Sequence, residues 1–138
     1  MTPLPEPFLQ ALARGETVRV TSRAGDEEGT VPVWYVVAPP GVLYLYGESF
    51  ARKARRWRAD PWVRLRVPGS RVAAEGRVGF VEPGPELDAI APRVVERWAG
   101  WGATTVEGLK RTLRDRTHVL VRVEGVPTAS PADQAPAG

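Results

Sequence analysis

The sequence predicts a small antiparallel β-barrel with a few helices. Six segments alternate apolar and polar residues, as half-buried strands do. They follow one another at the spacing of hairpin-connected strands, and only a few stretches have helical periodicity. The chain has 138 residues, which is enough for one domain with a hydrophobic core.

Composition narrows the possible functions. The chain has no cysteine, which excludes disulfides and thiolate metal sites. No stretch approaches the roughly 18 apolar residues of a membrane span, and no signal-peptide pattern is present, so we expect a cytoplasmic protein. The pI near 9.8 permits nucleic-acid binding without requiring it. The absence of asparagine fits a thermophile, although a GC-rich genome would produce a similar composition.

The first elements are a short helix and a hairpin. Phe8 to Ala13 has helical spacing. Thr17 to Arg23 alternates as a strand, with Val18 and Val20 inward and the threonines and arginines outward. A polar turn over Ala24 to Gly29 predicts an antiparallel return.

The second strand, Thr30 to Ala38, is apolar on both faces. One face can line a barrel core, whereas the other needs a helix, a partner subunit or a flat ligand to cover it. Pro32 has no N–H to donate and marks an edge or a bulge. The pattern fits a platform for a planar ring and equally a strand packed under a helix.

The third strand leads into a basic helix and then a fourth strand. Leu43 to Tyr46 alternates and stops at Gly47. Ser49 is predicted to be the helix N-cap, and Asp60-Pro61 ends the helix. The predicted apolar stripe comprises Phe50, Ala54 and Trp57, and the alternation resumes from Trp62 to Val67.

Two cations occupy the first turn of this helix. Capping and the helix dipole favour acids there, but the chain has Arg52 and Lys53. A helix N-terminus with a hydroxyl and two cations forms an anion site, for which phosphate is the usual ligand. The alternative is a solvated basic face, because Arg55, Arg56 and Arg58 are also basic.

The remaining chain supplies two strands, a helical segment and a tail. Pro92 should kink or restart the first of the two helices, and Thr104 with Glu107 forms a capping box for the second. We expect one domain over residues 1–125 and a disordered tail over 126–138. The further predicted elements are a strand Arg71 to Glu82, helical spacing from Leu87 to Trp98, a helix after Thr104, and a last strand His118 to Glu124.

No acid–base pair or metal cluster is evident. His118 is the single histidine, and one histidine without cysteines does not make a metal site. We place it at the surface at a strand end, with haem ligation as the alternative. Trp98 and Trp101 are expected in a core or an interface rather than against a substrate.

The ordered set of strands resembles the pyridoxamine 5′-phosphate oxidase-like family of flavin-binding split barrels. The resemblance covers roughly Thr17 to Pro83, with the His118 strand closing the barrel. Its most specific part is Ser49 to Pro61, where Arg52-Lys53-Ala54 and Asp60-Pro61 match the family's phosphate-binding helix. The resemblance implies a six-stranded antiparallel Greek-key split barrel.

The resemblance also implies a homodimer with FMN, or the deazaflavin F420, in a cleft at the subunit interface. Arg52 and Lys53 would hold the phosphate. Pro32, Val33 and Trp34 would lie against the isoalloxazine ring, and Tyr46, Gly47 and Ser49 would line the ribityl and phosphate end. The doubly apolar second strand and the segment Leu87 to Trp101 also favour a dimer.

The chain departs from true pyridoxamine-phosphate oxidases. Their second strand supplies cations where this chain has Trp34, Tyr35 and Val36, and their C-terminal substrate segment has no match in Val126 to Gly138. A helical segment over residues 86–114 replaces what shapes their substrate side. We therefore expect a flavin-dependent oxidoreductase with a substrate other than vitamin B6 phosphates.

A nucleic-acid-binding barrel is the alternative function. The residues that would contact phosphates are Arg19, Arg64, Arg66 and Arg77, and those that would stack on bases are Tyr44, Tyr46 and Trp34.

Overall fold

The structure is a computed structural model that describes residues 1–13, 15–98 and 105–126, with Trp98 described by its backbone alone. The predicted tail, except Val126, lies outside the described residues, as do Trp101 and Thr104. The elements are α1 (Glu6–Leu12), β1 (Thr17–Ala24), β2 (Glu27–Ala38), β3 (Val42–Glu48), α2 (Arg52–Ala59), β4 (Trp62–Arg66), β5 (Ala73–Phe80), α3 (Pro85–Trp98), α4 (Val106–Arg114) and β6 (His118–Gly125).

The six strands form a closed antiparallel barrel in the order β1-β2-β3-β6-β5-β4, with β4 pairing back onto β1. The neighbouring strands β4-β1-β2-β3 have the Greek-key arrangement. The β1–β2 turn is shorter than predicted, because β2 already begins at Glu27. Gly25 has φ +60° at the first turn position, as a type II′ turn requires. The predicted barrel is confirmed.

The barrel interior holds the predicted inward faces. Val18 and Val20 of β1 are fully buried, as are Val121 and Val123 of β6. On β5 small residues face inward, and a Cβ on Gly76 would stand 2.6 Å from Val123 Cγ1. Two helices close the barrel ends. Phe8 and Leu12 of α1 enter near the β2–β3 turn, and Ala54 and Trp57 of α2 enter at the opposite end.

A second apolar cluster lies outside the barrel. Helices α3 and α4 cover the outer face of β3, β6 and the end of β2. Pro92 lies within α3, which continues through it without a new start. Arg122 on β6 binds Glu86 at the start of α3 through a 2.6 Å hydrogen bond, and Tyr44 donates to the same carboxylate at 2.8 Å. These contacts fix the helical segment to the barrel.

The predicted start of α2 is wrong. Ala51 is the N-cap residue and makes no side-chain capping bond. The Ser49 N–H instead donates to the Thr117 carbonyl at 3.0 Å, and its hydroxyl donates to the Arg116 carbonyl at 2.7 Å. The chain after β3 therefore stays beside the segment that leads into β6 for one more residue before it turns into α2. Phe50 precedes the helix and is 73% exposed, so it does not belong to the buried stripe.

One smaller prediction is also wrong. The side-chain cap of α4 is Thr105, which accepts from the Gly108 N–H at 2.9 Å, rather than Thr104. Thr21 faces outward with the arginines, as predicted, but it is buried there, and its hydroxyl lies 2.7 Å from that of Thr30 across the β1–β2 pair.

Candidate functional site

A cleft opens where β2 and β3 separate. Their ladder runs from Ala38–Val42 to Tyr35–Leu45 and ends there. Had it continued, the next pairs would be Trp34–Tyr46, Val33–Gly47 and Pro32–Glu48. These six residues instead line a cavity of about 380 Å³, together with Thr17, Ala51, Lys53 and His118. We call it the β2–β3 cleft. It confirms the predicted break in the pairing of this strand.

The β2 wall of the cleft presents both side chains and main chain. Trp34 is 41% exposed and Pro32 is exposed on the outer face of the barrel. The Val33 side chain belongs to the barrel core, so what this residue offers the cleft is its main chain. Helix α3 covers only the later part of β2, where Val36 and Ala38 are buried. The covering helix therefore stops short of the cleft.

Lys53 places the positive charge in this cleft. It lies in the first turn of α2 and is half-buried. A Cβ built on Gly47 would stand 2.8 Å from Lys53 Cε and 3.2 Å from Nζ. The lysine can thus lie directly over the end of β3 because residue 47 has no side chain.

The other two residues predicted at the phosphate end are placed elsewhere. Arg52 is exposed and does not line the cleft. The Ser49 hydroxyl is directed away, to the Arg116 carbonyl. The structure thus brings together six of the eight predicted site residues, namely Pro32, Val33, Trp34, Tyr46, Gly47 and Lys53.

Two stacked rings form the side wall of the cleft. The rings of Tyr46 and His118 lie 4.9 Å apart and within 5° of parallel. Thr112 donates its hydroxyl hydrogen to the Leu109 carbonyl at 2.8 Å, so the Tyr46 hydroxyl donates to Thr112 Oγ1 at 2.7 Å. Burial raises the pKa of Tyr46, and it is therefore a neutral hydrogen-bond donor at physiological pH.

His118 belongs to this wall, whereas the sequence predicted only a surface residue at a strand end. It is half-buried and lines the cleft. The β3–β6 register sets it directly opposite Glu48. The predicted closure of the barrel by the last strand could have located His118 in the cleft, because closure brings the start of β6 beside the end of β3.

A second opening lies on the other side of this wall. Here β5 and β6 separate beyond Val81, whose N–H still donates to the Leu120 carbonyl at 2.9 Å, and a cavity of about 240 Å³ forms between residues 80–83 and residues 118–120. Ser49, Arg58, Leu113 and Arg116 complete its lining. We call it the β5–β6 cleft. The two clefts share His118, so the paired ends of β3 and β6 stand between them.

The described residues give less support to a metal site, a membrane-spanning helix or a base-stacking surface. No group of three or more His, Cys, Asp or Glu in the described ranges could hold a metal ion. Among those same residues, every helix is too short or too polar to cross a bilayer. Tyr44 is buried and donates to Glu86, so it is not available to stack on a base.

Comparisons with solved structures identify the fold. No protein-family model and no curated protein sequence matches the chain. A candidate pyridoxamine 5′-phosphate oxidase from Listeria innocua superimposes with a TM-score of 0.61 at 15% identity, over 87% of this chain and 91% of that one. An FAD-binding protein from Mesorhizobium loti gives 0.59 at 17% identity, over 87% and 88%.

A third structure with this fold is named for a different ligand. HutZ, the haem storage protein of Vibrio cholerae, gives a TM-score of 0.61 at 15% identity, over 88% of this chain and 87% of that one. The chain therefore has the split-barrel fold of the pyridoxamine 5′-phosphate oxidase-like proteins, as the sequence predicted. At these identities the comparisons identify the fold alone.

Proposed function

We propose that this split barrel binds a flavin in its β2–β3 cleft and acts as a flavin-dependent oxidoreductase. FMN is the proposed cofactor, with F420 as the alternative. One observation carries the proposal: the strands separate at the predicted platform, and the gap collects six of the eight predicted residues around one lysine. The occurrence of an FAD-binding protein among the structures with this fold supports it.

The cleft residues fit such a ligand. The cavity of about 380 Å³ lies within the range of roughly 300–1,000 Å³ typical of ligand sites. The Lys53 ammonium offers a charge-assisted hydrogen bond to a phosphate. The exposed Trp34 and Pro32 give one wall an apolar surface for a ring. Glu48 also lines the cleft and would repel an anion. The positive charge of Lys53 is therefore needed for a phosphate to bind at the α2 end of the cleft.

A bound flavin would supply hydride-transfer chemistry, and the protein would supply binding and orientation. Lys53 would hold the phosphate at the α2 end of the cleft, and the β2 main chain at Val33 would lie along the ring. The neutral Tyr46 hydroxyl is engaged by Thr112. We therefore assign Tyr46 and His118 the role of a rigid wall that positions the ligand.

We further propose that the protein is a homodimer in which a second copy completes the flavin site. Trp34 is 41% exposed, and Pro32 is exposed on the same face of the strand, so β2 retains solvent-exposed apolar surface at the cleft. Burial of this surface would exclude water from the ring. Analytical ultracentrifugation at micromolar concentration should give a dimer, and a stable monomer would contradict this part of the proposal.

Lys53→Glu tests the cofactor site. Loss of the charge-assisted bond, worth about 1.5–3 kcal/mol, together with repulsion of the phosphate should weaken FMN binding by at least about tenfold. Arg55→Glu is the matched control, because it changes the charge equally on the same helix, at an exposed residue outside the cleft. Fluorescence quenching gives the FMN and F420 affinities, and circular dichroism verifies folding.

The outcomes separate the alternatives. Equal affinity of the Lys53 and Arg55 variants would show that Lys53 is not the phosphate ligand. A parent protein that binds neither FMN nor F420 would refute the flavin proposal. The absorption spectrum of protein purified from cells should show flavin bands. A haem spectrum instead would assign this chain to the ligand class of HutZ, with His118 as the residue to test.

A further inference from the structure

The outer face of the barrel carries a compact group of arginines away from the lining of either cleft. Arg19 on β1 lies directly opposite Arg66 on β4, and Thr21 lies opposite Arg64. We call Arg19, Arg64 and Arg66 the arginine face. With Thr21, Thr30 and Ala73 they line a cavity of about 130 Å³. Like charges directly opposite each other destabilise a sheet, so strand pairing does not account for this arrangement.

Hydrogen-bond donors on this face lack acceptors. Arg19 is flanked across β2 by Pro32 and across β4 by Arg66, and neither side chain has an acceptor. The Arg19 Nε is buried and makes no hydrogen bond. Buried donors normally have a partner, so a hydrogen-bond acceptor is needed beside this guanidinium.

The neighbouring hydroxyls and carboxylates do not meet this need. Thr21 and Thr30 hydrogen-bond to each other at 2.7 Å. Of the three arginines, only Arg64 has a carboxylate within 4 Å in the described part of the chain, with Nη2 at 3.4 Å from Glu28 Oε1. Positive charge on Arg19 and Arg66 is therefore left without a counter-ion among these residues.

We propose that the arginine face binds one tetrahedral oxyanion, phosphate or sulfate, either free or as a monoester. Guanidinium groups bind such oxyanions through paired N–H donors, and two arginines facing the same small cavity can bind from two sides. Ala73, opposite Arg66 on β5, leaves the space for it. The oxyanion would accept from Arg19 and offset the Arg19–Arg66 repulsion.

The charges around the arginine face favour a single anion over a nucleic-acid backbone. Glu28 is paired with Arg64 on one side, and Glu75 lies opposite Arg64 across the β4–β5 ladder on the other. A long phosphate chain crossing the face would meet these carboxylates. The site is also independent of Lys53 and therefore goes beyond the proposed flavin cleft.

Arginine side-chain NMR tests this proposal directly. Inorganic phosphate and, separately, adenosine monophosphate are titrated into ¹⁵N-labelled Lys53→Glu protein, which removes the phosphate site of the cleft. The Nε–Hε signals of Arg19 and Arg66, assigned with Arg19→Lys and Arg66→Lys, should shift together with one dissociation constant. Tighter binding of the nucleotide would identify a monoester as the ligand, and tighter binding of inorganic phosphate would identify the free ion.

Arg66→Gln should weaken phosphate binding by about tenfold or more, because a charge-assisted pair of donors is lost. Arg111→Gln is the matched control, since it removes the same charge from an exposed residue of α4 and should bind as the parent does. The proposal is refuted if the signals do not saturate, or if the two variants bind equally. It is also refuted if single-stranded DNA binds with a salt dependence of more than about three released counterions, which would indicate an extended polyanion site.

Discussion

Gly47→Ala should separate cofactor affinity from protein stability. The new methyl group would stand 2.8 Å from Lys53 Cε and 3.2 Å from Nζ, so the lysine must leave its place over the end of β3. The contacted atoms are the flexible end of a side chain, which can swing towards solvent. The backbone needs no adjustment, because Gly47 is not among the glycines with positive φ.

The substitution should raise the stability of the protein and lower its affinity for the cofactor. Replacing glycine by alanine within a strand should stabilise the protein by roughly 0.5–1 kcal/mol, because the unfolded chain loses freedom. Displacing Lys53 should cost the charge-assisted bond to the cofactor phosphate, about 1.5–3 kcal/mol, which corresponds to an increase of about ten- to a hundredfold in the dissociation constant. A merely structural role for Gly47 predicts no change in affinity.

Urea denaturation gives the stability, and FMN fluorescence quenching gives the affinity. The control is Gly79→Ala, whose methyl group would stand 2.6 Å from Arg122 Nη2 and disturb the Arg122–Glu86 ion pair outside the cleft. It should lower stability and leave FMN affinity unchanged. The reasoning is refuted if Gly47→Ala binds FMN as the parent does, or if it loses affinity only together with stability.

Two further predictions concern the barrel and the helical segment. Burial and the hydrogen bond to Glu86 raise the pKa of Tyr44 to about 12, whereas an unfolded tyrosine titrates near ~10. The parent should therefore lose stability as the pH rises from about 10 to 12, and Tyr44→Phe should lose less in urea denaturation at stepped pH; equal slopes would contradict this. Arg116 has φ +62° after α4, where glycine avoids a cost of about 1–2 kcal/mol. Arg116→Gly should thus raise the midpoint of thermal unfolding, and a lower midpoint would mean that the arginine side chain stabilises this turn.

The strands were predictable because burial on one face imposes a period of two. Val18 and Val20 on β1 were assigned correctly to the interior. The outer apolar face of β2 was also recognised, but its cover was not. Whether a helix or a ligand lies there depends on where α3 ends against the barrel, and nothing in the sequence of β2 specifies this.

The site was less predictable because it depends on where paired strands separate. Ser49 has the right side chain for an N-cap, yet its N–H and hydroxyl find carbonyls of the chain entering β6, more than 60 residues away in sequence. Because of this long-range contact, α2 begins only at Arg52, and Phe50 lies before the helix and is exposed. By contrast, the candidate Lys53, which lines the cleft, was predicted from a local signal, a cation in a helical turn that favours acids.

The two clefts also determine where this barrel has free strand edges. Closure of a barrel removes edges, and the separated stretches of β2 and of the chain after β5 restore short ones. A proline is present at each, Pro32 on β2 and Pro83 beyond β5. Because proline has no N–H to donate, neither stretch can recruit a further strand with a full ladder. Both openings are therefore protected against β-sheet aggregation by residues in their own walls.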